Sequence, residues 1–234
     1  HAALHRLGGA RVMTPPLFAV YGASGFGREV MPLAREQLAR QSIAADRLVF
    51  VDDHPVAAMV NGQRVLDYAA FLDMPSGERH AVLAIAAGGA RERLAARCRT
   101  DGVRPWTVSA ANVVVLDDVT LGEGAILCPF VTLTSNIRIG SQFHANLYSY
   151  VAHDCRIGDC VTFAPAVRCN GNIVIEDHAY IGTGAVIKQG RPDRPLVIGR
   201  GAVVGMGAVV TKNVPPGVTV VGNPARSMVR SASR

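Results

Sequence analysis

A histidine followed directly by an aspartate, in Val151-Ala152-His153-Asp154-Cys155-Arg156-Ile157-Gly158, is a pairing that can move a proton near neutral pH. The carboxylate orients the imidazole and raises its basicity, which is what a group that takes a proton from an amine or a hydroxyl needs. The same pair could equally be a charged ornament of a turn. A second segment, Gly22-Ala23-Ser24-Gly25-Phe26-Gly27, offers different chemistry. Where such a turn opens a helix, free backbone N–H groups and the helix dipole attract a phosphate, and glycine lets the chain approach it closely. On its own the pattern can be no more than a tight turn. Asp52-Asp53 strengthens it, being placed as acids that accept hydrogen bonds from a ribose or a base.

The remaining reactive side chains carry less. Cys98, Cys128, Cys155, Cys160 and Cys169 are odd in number and contain no Cys-x-x-Cys pair, so reduced thiols in the cytoplasm are expected. Cys155 and Cys169 fall on apolar registers of the repeat described below, so packing explains them better than a nucleophilic, acyl-thioester role. His144 and His178 could join His153 as metal ligands, but the His-x4-His spacing of one zinc-binding class of repeat proteins is absent. No metal is expected. His144 is read as a residue lining the cleft and His178 as an exposed corner.

The elements that must position these residues follow two different periods. Leu17 to Tyr21 reads as a buried strand, Gly22 to Gly27 as a turn, and Arg28 to Arg40 as a helix whose Val30, Leu33, Ala34 and Leu38 recur at three and four. Leu48 to Val51 and Ala81 to Ala86 are further strands, Tyr68 to Leu72 a short helix and Arg91 to Arg99 a longer one. Alternation of this kind predicts a small Rossmann-like parallel sheet, an α/β domain over residues 14–109. It is too short for a full six-stranded sheet, which argues against a dinucleotide site of the NAD type.

From Val115 onward every sixth residue is apolar: Val115, Leu121, Leu127, Leu133, Ile139, Ala145, Val151, Ile157, Phe163, Cys169, Ile175, Ile181 and Ile187. The positions two earlier are small or apolar throughout, and glycine follows the main position at 122, 140, 158 and 182. The phase resumes at Ile198 after an extra five residues, which predicts a loop around Gln189 to Arg194. A fixed hexapeptide period is the mark of a parallel β-helix, here of roughly five coils within residues 110–226. An antiparallel sandwich would show period-two alternation and turn signals roughly every 8–12 residues, and shows neither.

Composition sets the outer bounds. With 234 residues, 49% hydrophobic and 18% charged, the chain can bury a core, and its longest apolar stretch, Ala81 to Ala90, falls short of the roughly 18 residues of a membrane span. The formal charge of +6 sits at the ends, where residues 1–12 carry two arginines and residues 225–234 three, without an acid; between them 19 bases face 18 acids. Nucleic acid is therefore not an expected partner. No charged segment followed by an apolar one opens the chain, so secretion has no support. Residues 1–13 are set aside as an added or linking segment, because His1 is not an initiator and Met13 could be one; residues 227–234 form a basic tail.

The glycine-rich βα turn, Asp52-Asp53, the His-Asp-Cys-x-Ile-Gly run and the closing Gly222-Asn223-Pro224-Ala225-Arg226 together resemble a known group: the sugar O-acyltransferases with hexapeptide repeats. The group includes sialic acid O-acetyltransferases and N-acetyltransferases of nucleotide-linked 4-amino sugars, and the similarity spans about Leu17 to Arg226. It implies a left-handed β-helix, a departure from the right-handed crossover rule. It further implies a nucleotide-sugar substrate held by the N-terminal domain, acetyl-CoA as co-substrate along the β-helix between neighbouring subunits, and a homotrimer without nucleic acid or membrane partners. Carried over by residue, His153 is the general base and Asp154 the carboxylate that raises its basicity. The Gly171 N–H meets the acyl carbonyl oxygen, amides near Thr183 and Met206 grip the pantetheine, Ser24, Gly25 and Phe26 form the substrate loop, and Asp52 and Asp53 are its acidic contacts.

Two positions depart from the group. The amino-sugar enzymes carry a second histidine nine residues after the base, near the thioester, where this chain has Thr162. They also have glycine where the third strand ends, and this chain has Ala86 with Gly88-Gly89 following, which makes Gly88 the candidate contact there. Lys188, Arg191, Arg194, Arg200, Lys212 and Arg226 are expected to hold the phosphates of acyl-CoA. The implied reaction is direct acetyl transfer to the amine of a nucleotide-linked 4-amino-deoxy sugar. O-acetylation of a sugar hydroxyl would use the same base. A non-catalytic nucleotide-sugar-binding or scaffold trimer is the reading from another class, and the His153-Asp154 pair at a corner argues against it.

Overall fold

The structure, a computed structural model, describes residues 14–228, so the expectations for residues 1–13 and for the end of the basic tail lie outside the described residues. The N-terminal sheet comprises β1 (Leu17–Tyr21), β2 (Leu48–Val51), β3 (Met59–Val60), β4 (Gln63–Leu66), β5 (Arg79–Leu83) and β6 (Val103–Pro105), in the order β3-β4-β2-β1-β5-β6. All pairs are parallel except β3 with β4. The domain does reach six strands, contrary to the expectation from its length, because a two-residue strand and its hairpin partner complete one edge. Every residue of β1 is buried. Phe18 and Val20 pack with Val30 and Met31, while Leu17, Ala19 and Tyr21 pack with Phe71 and Cys98 on the other side. Burial on both faces is why β1 reads as an unbroken apolar run rather than an alternating one.

Three helices cover this sheet: α1 (Gly25–Arg40), α2 (Tyr68–Asp73) and α3 (Gly88–Thr100). Both long helices start three residues earlier than the apolar pattern indicates, so that Gly25 and Gly88 belong to first turns. β5 in turn stops at Leu83, short of Ala86.

From Val108 the chain winds as a left-handed β-helix with three flat parallel sheets. The first face holds Val108–Ser109, Ile126–Leu127, His144–Ala145, Thr162–Phe163, Tyr180–Ile181, Val203–Val204 and Thr219–Val221, closed by an antiparallel strand at Arg226–Ser227. The second holds Val114–Val115, Thr132–Leu133, Tyr150–Val151, Arg168–Cys169, Val186–Ile187 and Val209–Val210, and the third Val119–Leu121, Ile137–Ile139, Arg156–Ile157, Ile173–Ile175 and Leu196–Ile198. The axis is filled by both apolar registers of the repeat. Ser149 is the polar exception, its hydroxyl donating to Ala164 O (3.0 Å) and accepting from Val167 N (3.1 Å).

The glycines at 122, 140, 158 and 182 serve stacking: a Cβ on any of them would run into backbone of the next coil. Left-handed residues make the corners instead, in three columns. Asn136, Asp154 and Asn172 (φ 59, 58 and 56) lie between the second and third faces, Phe130, Tyr148 and Ala166 (φ 64, 58 and 59) between the first and second, and Gln142, Cys160 and His178 (φ 58, 56 and 62) between the third and first. The N-terminal domain sits on the first face, where Ile126 and Cys128 join its core and Gln37 bonds Thr107 O (2.9 Å) and Ser109 N (2.9 Å).

Candidate active site

His153 stands on the edge between the second and third faces, two residues past Tyr150–Val151. The left-handed backbone of Asp154 turns its carboxylate onto the neighbouring ring, and Oδ2 lies 2.7 Å from His153 Nδ1. With Nδ1 engaged, Nε2 is the nitrogen left to take a proton. Both side chains are about half exposed, as a base that meets an external substrate must be. Gly171, one coil further, forms the floor: a Cβ there would come within 2.5 to 2.9 Å of three atoms of the imidazole. Asn172 N donates to His153 O (3.0 Å) and Gly190 N to Gly171 O (3.0 Å), which aligns the predicted loop in the same column. Lys188, Arg191, Arg194 and Lys212 line a groove of about 550 Å3 at that loop. Arg200 lies apart, paired with Asp177 on the third-face side, and Arg226 lines a separate groove with Lys212. Four of the six expected cations are thus gathered in one groove.

The glycine-rich turn is built as a phosphate site would be. Gly27 packs on the Gly22 carbonyl with no room for a Cβ. Ser24 caps α1 with extended backbone and no side-chain hydrogen bond, and neither α1 nor α3 has an acid in its first turn. The first N–H groups of each helix, Gly25 and Phe26 in α1, have no partner within the helix. Asp52 supports the turn from β2, accepting from Ala23 N (3.1 Å) and His54 N (3.0 Å). Asp53 turns the other way, onto Tyr21 Oη (2.8 Å) and Arg97 (3.0 Å), whose guanidinium lies 3.9 Å from the centre of the Tyr68 ring. Burial, then the bond to Asp53, pushes the Tyr21 phenol well up. The two neighbouring acids therefore do different things.

Between the domains lies a residue that sequence reading passes over. Arg91 is fully buried, and its guanidinium donates to the carbonyls of Ile85 (2.6 Å), Ala86 (3.2 Å), Gln142 (3.0 Å) and Val161 (3.2 Å) and to Thr162 Oγ1 (3.1 Å). Burial lowers its pKa to about 10. Nothing local marks it, since α3 is rich in arginine and the partners in the β-helix are 51 to 71 residues away. Thr162 also donates to Ala86 O (2.9 Å), so the residue expected at the thioester has its hydroxyl committed to the domain junction. Gly88 is pressed there too, where a Cβ would meet Cys160 O at 2.7 Å. His144 is buried beside Phe26 (ring centroids 5.3 Å apart), with both ring nitrogens unpartnered. Burial, with the Arg91 charge, holds its pKa well below the usual value. His178 pairs with Glu92 of α3 at 3.4 Å.

Thr183 and Met206 precede the left-handed Gly184 and Gly207 on the edge between the first and second faces. That is a different edge from the one bearing His153 and Gly171. Cys155 and Cys169 lie in the axis, and both thiols donate to Asn170 O, at 3.2 and 3.9 Å. Among the described residues no three His, Cys, Asp or Glu side chains are gathered as a metal site, and no helix is long and apolar enough to cross a membrane.

No protein-family model matches the chain. It is 53% identical over 215 residues to the GDP-perosamine N-acetyltransferase of Escherichia coli O157:H7, covering 92% of this chain and 97% of that protein. Among solved structures it resembles WeeI from Acinetobacter baumannii AYE, with 58% identity and a TM-score of 0.89 over 91% of this chain and 100% of that one. It also resembles PerB from Caulobacter crescentus in complex with CoA and GDP-perosamine, with 25% identity and a TM-score of 0.79 over 91% and 97% of the two chains.

Proposed function

The chain belongs to the nucleotide-sugar N-acetyltransferases with hexapeptide repeats, and on that premise we propose that it transfers acetyl from acetyl-CoA to the amine of GDP-perosamine, with His153 as base. The acceptor is taken from the relatives' substrate. The single observation that carries the catalytic assignment is the His153–Asp154 pair seated on Gly171 at an exposed edge.

His153 Nε2 takes a proton from the sugar amine as its nitrogen attacks the thioester carbon. A C–N bond forms, the carbonyl π electrons move onto oxygen, and the Gly171 N–H steadies that oxyanion. When the tetrahedral species collapses, the C–S bond breaks and the CoA sulfur leaves with a proton returned by the imidazolium. Asp154 stabilises that imidazolium in the interval. Glycine at 171 leaves space for the ring, and the basic groove below offers charge to the phosphates of acetyl-CoA.

The assembly proposed is a homotrimer. In a three-sided coil, the edge between the second and third faces lies opposite the first face, and the first face carries the nucleotide-binding domain. His153 is therefore separated from the substrate loop of its own chain by the body of the β-helix. A neighbouring copy that sets its first-to-second edge, with Thr183 and Met206, against this chain's His153 edge would complete the site and reunite the two halves of the acyl-CoA contacts. A cytoplasmic location is proposed from the use of acetyl-CoA and from five free buried cysteines.

The test is thiol release from acetyl-CoA with GDP-perosamine, and with UDP- and dTDP-linked 4-amino sugars as controls, the product being checked as an amide. His153→Ala should cut kcat by about 10^2 to 10^4, with folding and assembly unchanged. Near-normal turnover by that variant would remove the assignment.

A further inference from the structure

The outward residues of the first face run in register down the coil: His144, Thr162, Tyr180, Val203. The first two are buried under the N-terminal domain, His144 beneath Phe26 and Thr162 bonded to Ala86 O. Tyr180 is the next rung, about 4.8 Å further on, and the first to emerge, at 37% exposure. Among the described residues its hydroxyl has no side-chain hydrogen bond and its ring no aromatic partner.

The direction of α1 makes this rung matter. Gln37, near its C-terminal end, is tied to Thr107 and Ser109 at the first rung, whereas Phe26, in its first turn, lies over His144 two rungs below. The helix thus runs against the order of the coils, and its N-terminus points toward Tyr180. Gly88, opening α3, rests against His178 two residues before that tyrosine. The α1 N-terminus thus lies at the His144 rung facing down the coil, and the α3 N-terminus at the His178 corner just before Tyr180. Tyr180 is the first exposed aromatic side chain on this face beyond those two termini.

We infer that Tyr180 is the specificity-determining wall for the hexose of the acceptor, its ring packing against the apolar C–H face and the C6 methyl of a 6-deoxy amino sugar. The inference rests on the functional reading above, because it takes the acceptor to be a GDP-linked 6-deoxy amino sugar. A hexose presents few apolar atoms, and an aromatic face is the surface that recognises them without demanding a hydrogen bond. Val203 continues the same apolar wall one rung on. The residue contributes to the sugar and not to the nucleotide, which the turn at Gly22 to Gly27 holds.

The experiment compares whole wild-type protein with Tyr180→Ala and Tyr180→Phe by steady-state kinetics and by calorimetric binding of GDP-perosamine and of GDP alone. Y180A should raise both KM and Kd for GDP-perosamine about tenfold, with the Kd for GDP and the KM for acetyl-CoA within about twofold. Y180F, which keeps the ring, should restore the GDP-perosamine values to within about threefold. An unchanged KM in Y180A would overturn the inference, as would an equal loss for GDP or acetyl-CoA, or loss of the native oligomer. Y180F as poor as Y180A would assign the hydroxyl instead and overturn the packing role. Wild-type protein that neither binds nor acetylates GDP-perosamine would overturn the functional reading and this inference with it; wild-type turnover with an indifferent Y180A would overturn the inference alone.

Discussion

Gly171 separates two jobs that one residue performs. Its N–H is assigned to the oxyanion, while its missing side chain makes room for the imidazole of His153, which a Cβ would approach to 2.5 Å. Gly171→Ala should therefore displace the base rather than abolish it. About a ten- to hundredfold fall in kcat is expected, with KM for the nucleotide sugar changed by less than about threefold, and steady-state kinetics on the folded variant checks it. A fall in KM affinity equal to the fall in kcat would show that the residue acts in binding. The His153–Asp154 pair was legible in the sequence because its partners are adjacent; Gly171 came only from the resemblance, and its place beneath the imidazole, 18 residues from His153, was not legible. The bond that commits Thr162 to Ala86 spans 76 residues and was not legible either. Nor could adjacency separate Asp52 from Asp53, which follow the end of β2 and turn apart, one to the glycine turn and the other to Tyr21 and Arg97.

Among elements, the β-helix was written plainly, since one six-residue period fixes strands, corners and the interrupting loop together. The α/β half was less so. Asn61-Gly62, both at positive φ, is a two-residue hairpin signal, but the strands it joins have two and four residues, too short to show alternation. The junction of the two halves was invisible, because Arg91 and His144 sit on elements whose local patterns give no hint of each other. That junction carries a pH dependence. Burial and the Arg91 charge depress the His144 pKa in the folded protein below its unfolded value of 6.5. The unfolded chain then binds more protons as pH falls below 6.5, so the contribution of neutral His144 is complete above that pH and is lost below it. The loss approaches about 1.4 kcal/mol per pH unit until the folded pKa is reached. Urea unfolding at pH 7.5 and pH 5 should show wild type losing more stability than His144→Leu over that interval. Equal losses in the two proteins would place the titration elsewhere.

At the scale of the whole molecule, the three-sided cross-section decides how many chains an active site needs. The domain proposed to hold the nucleotide covers one face, and His153, the proposed base, stands on the edge opposite that face, so the body of the coil lies between them within a single chain. A site shared between copies makes a specific prediction for mixtures. His153→Ala chains keep an intact nucleotide domain, and Gly27→Val chains, in which the new side chain collides with the Gly22 carbonyl, keep an intact base. Each homogeneous trimer should be nearly inactive. After co-expression in equal amounts, an interface is competent only when the G27V chain supplies the base and the H153A chain supplies the nucleotide domain. With random assembly this happens at about one interface in four, so about a quarter of wild-type turnover should return. If base and nucleotide domain worked within one chain, every chain in the mixture would carry a broken half and activity would stay at the level of the separate variants. Light scattering on the same samples shows whether trimers have formed, which distinguishes failure to complement from failure to assemble.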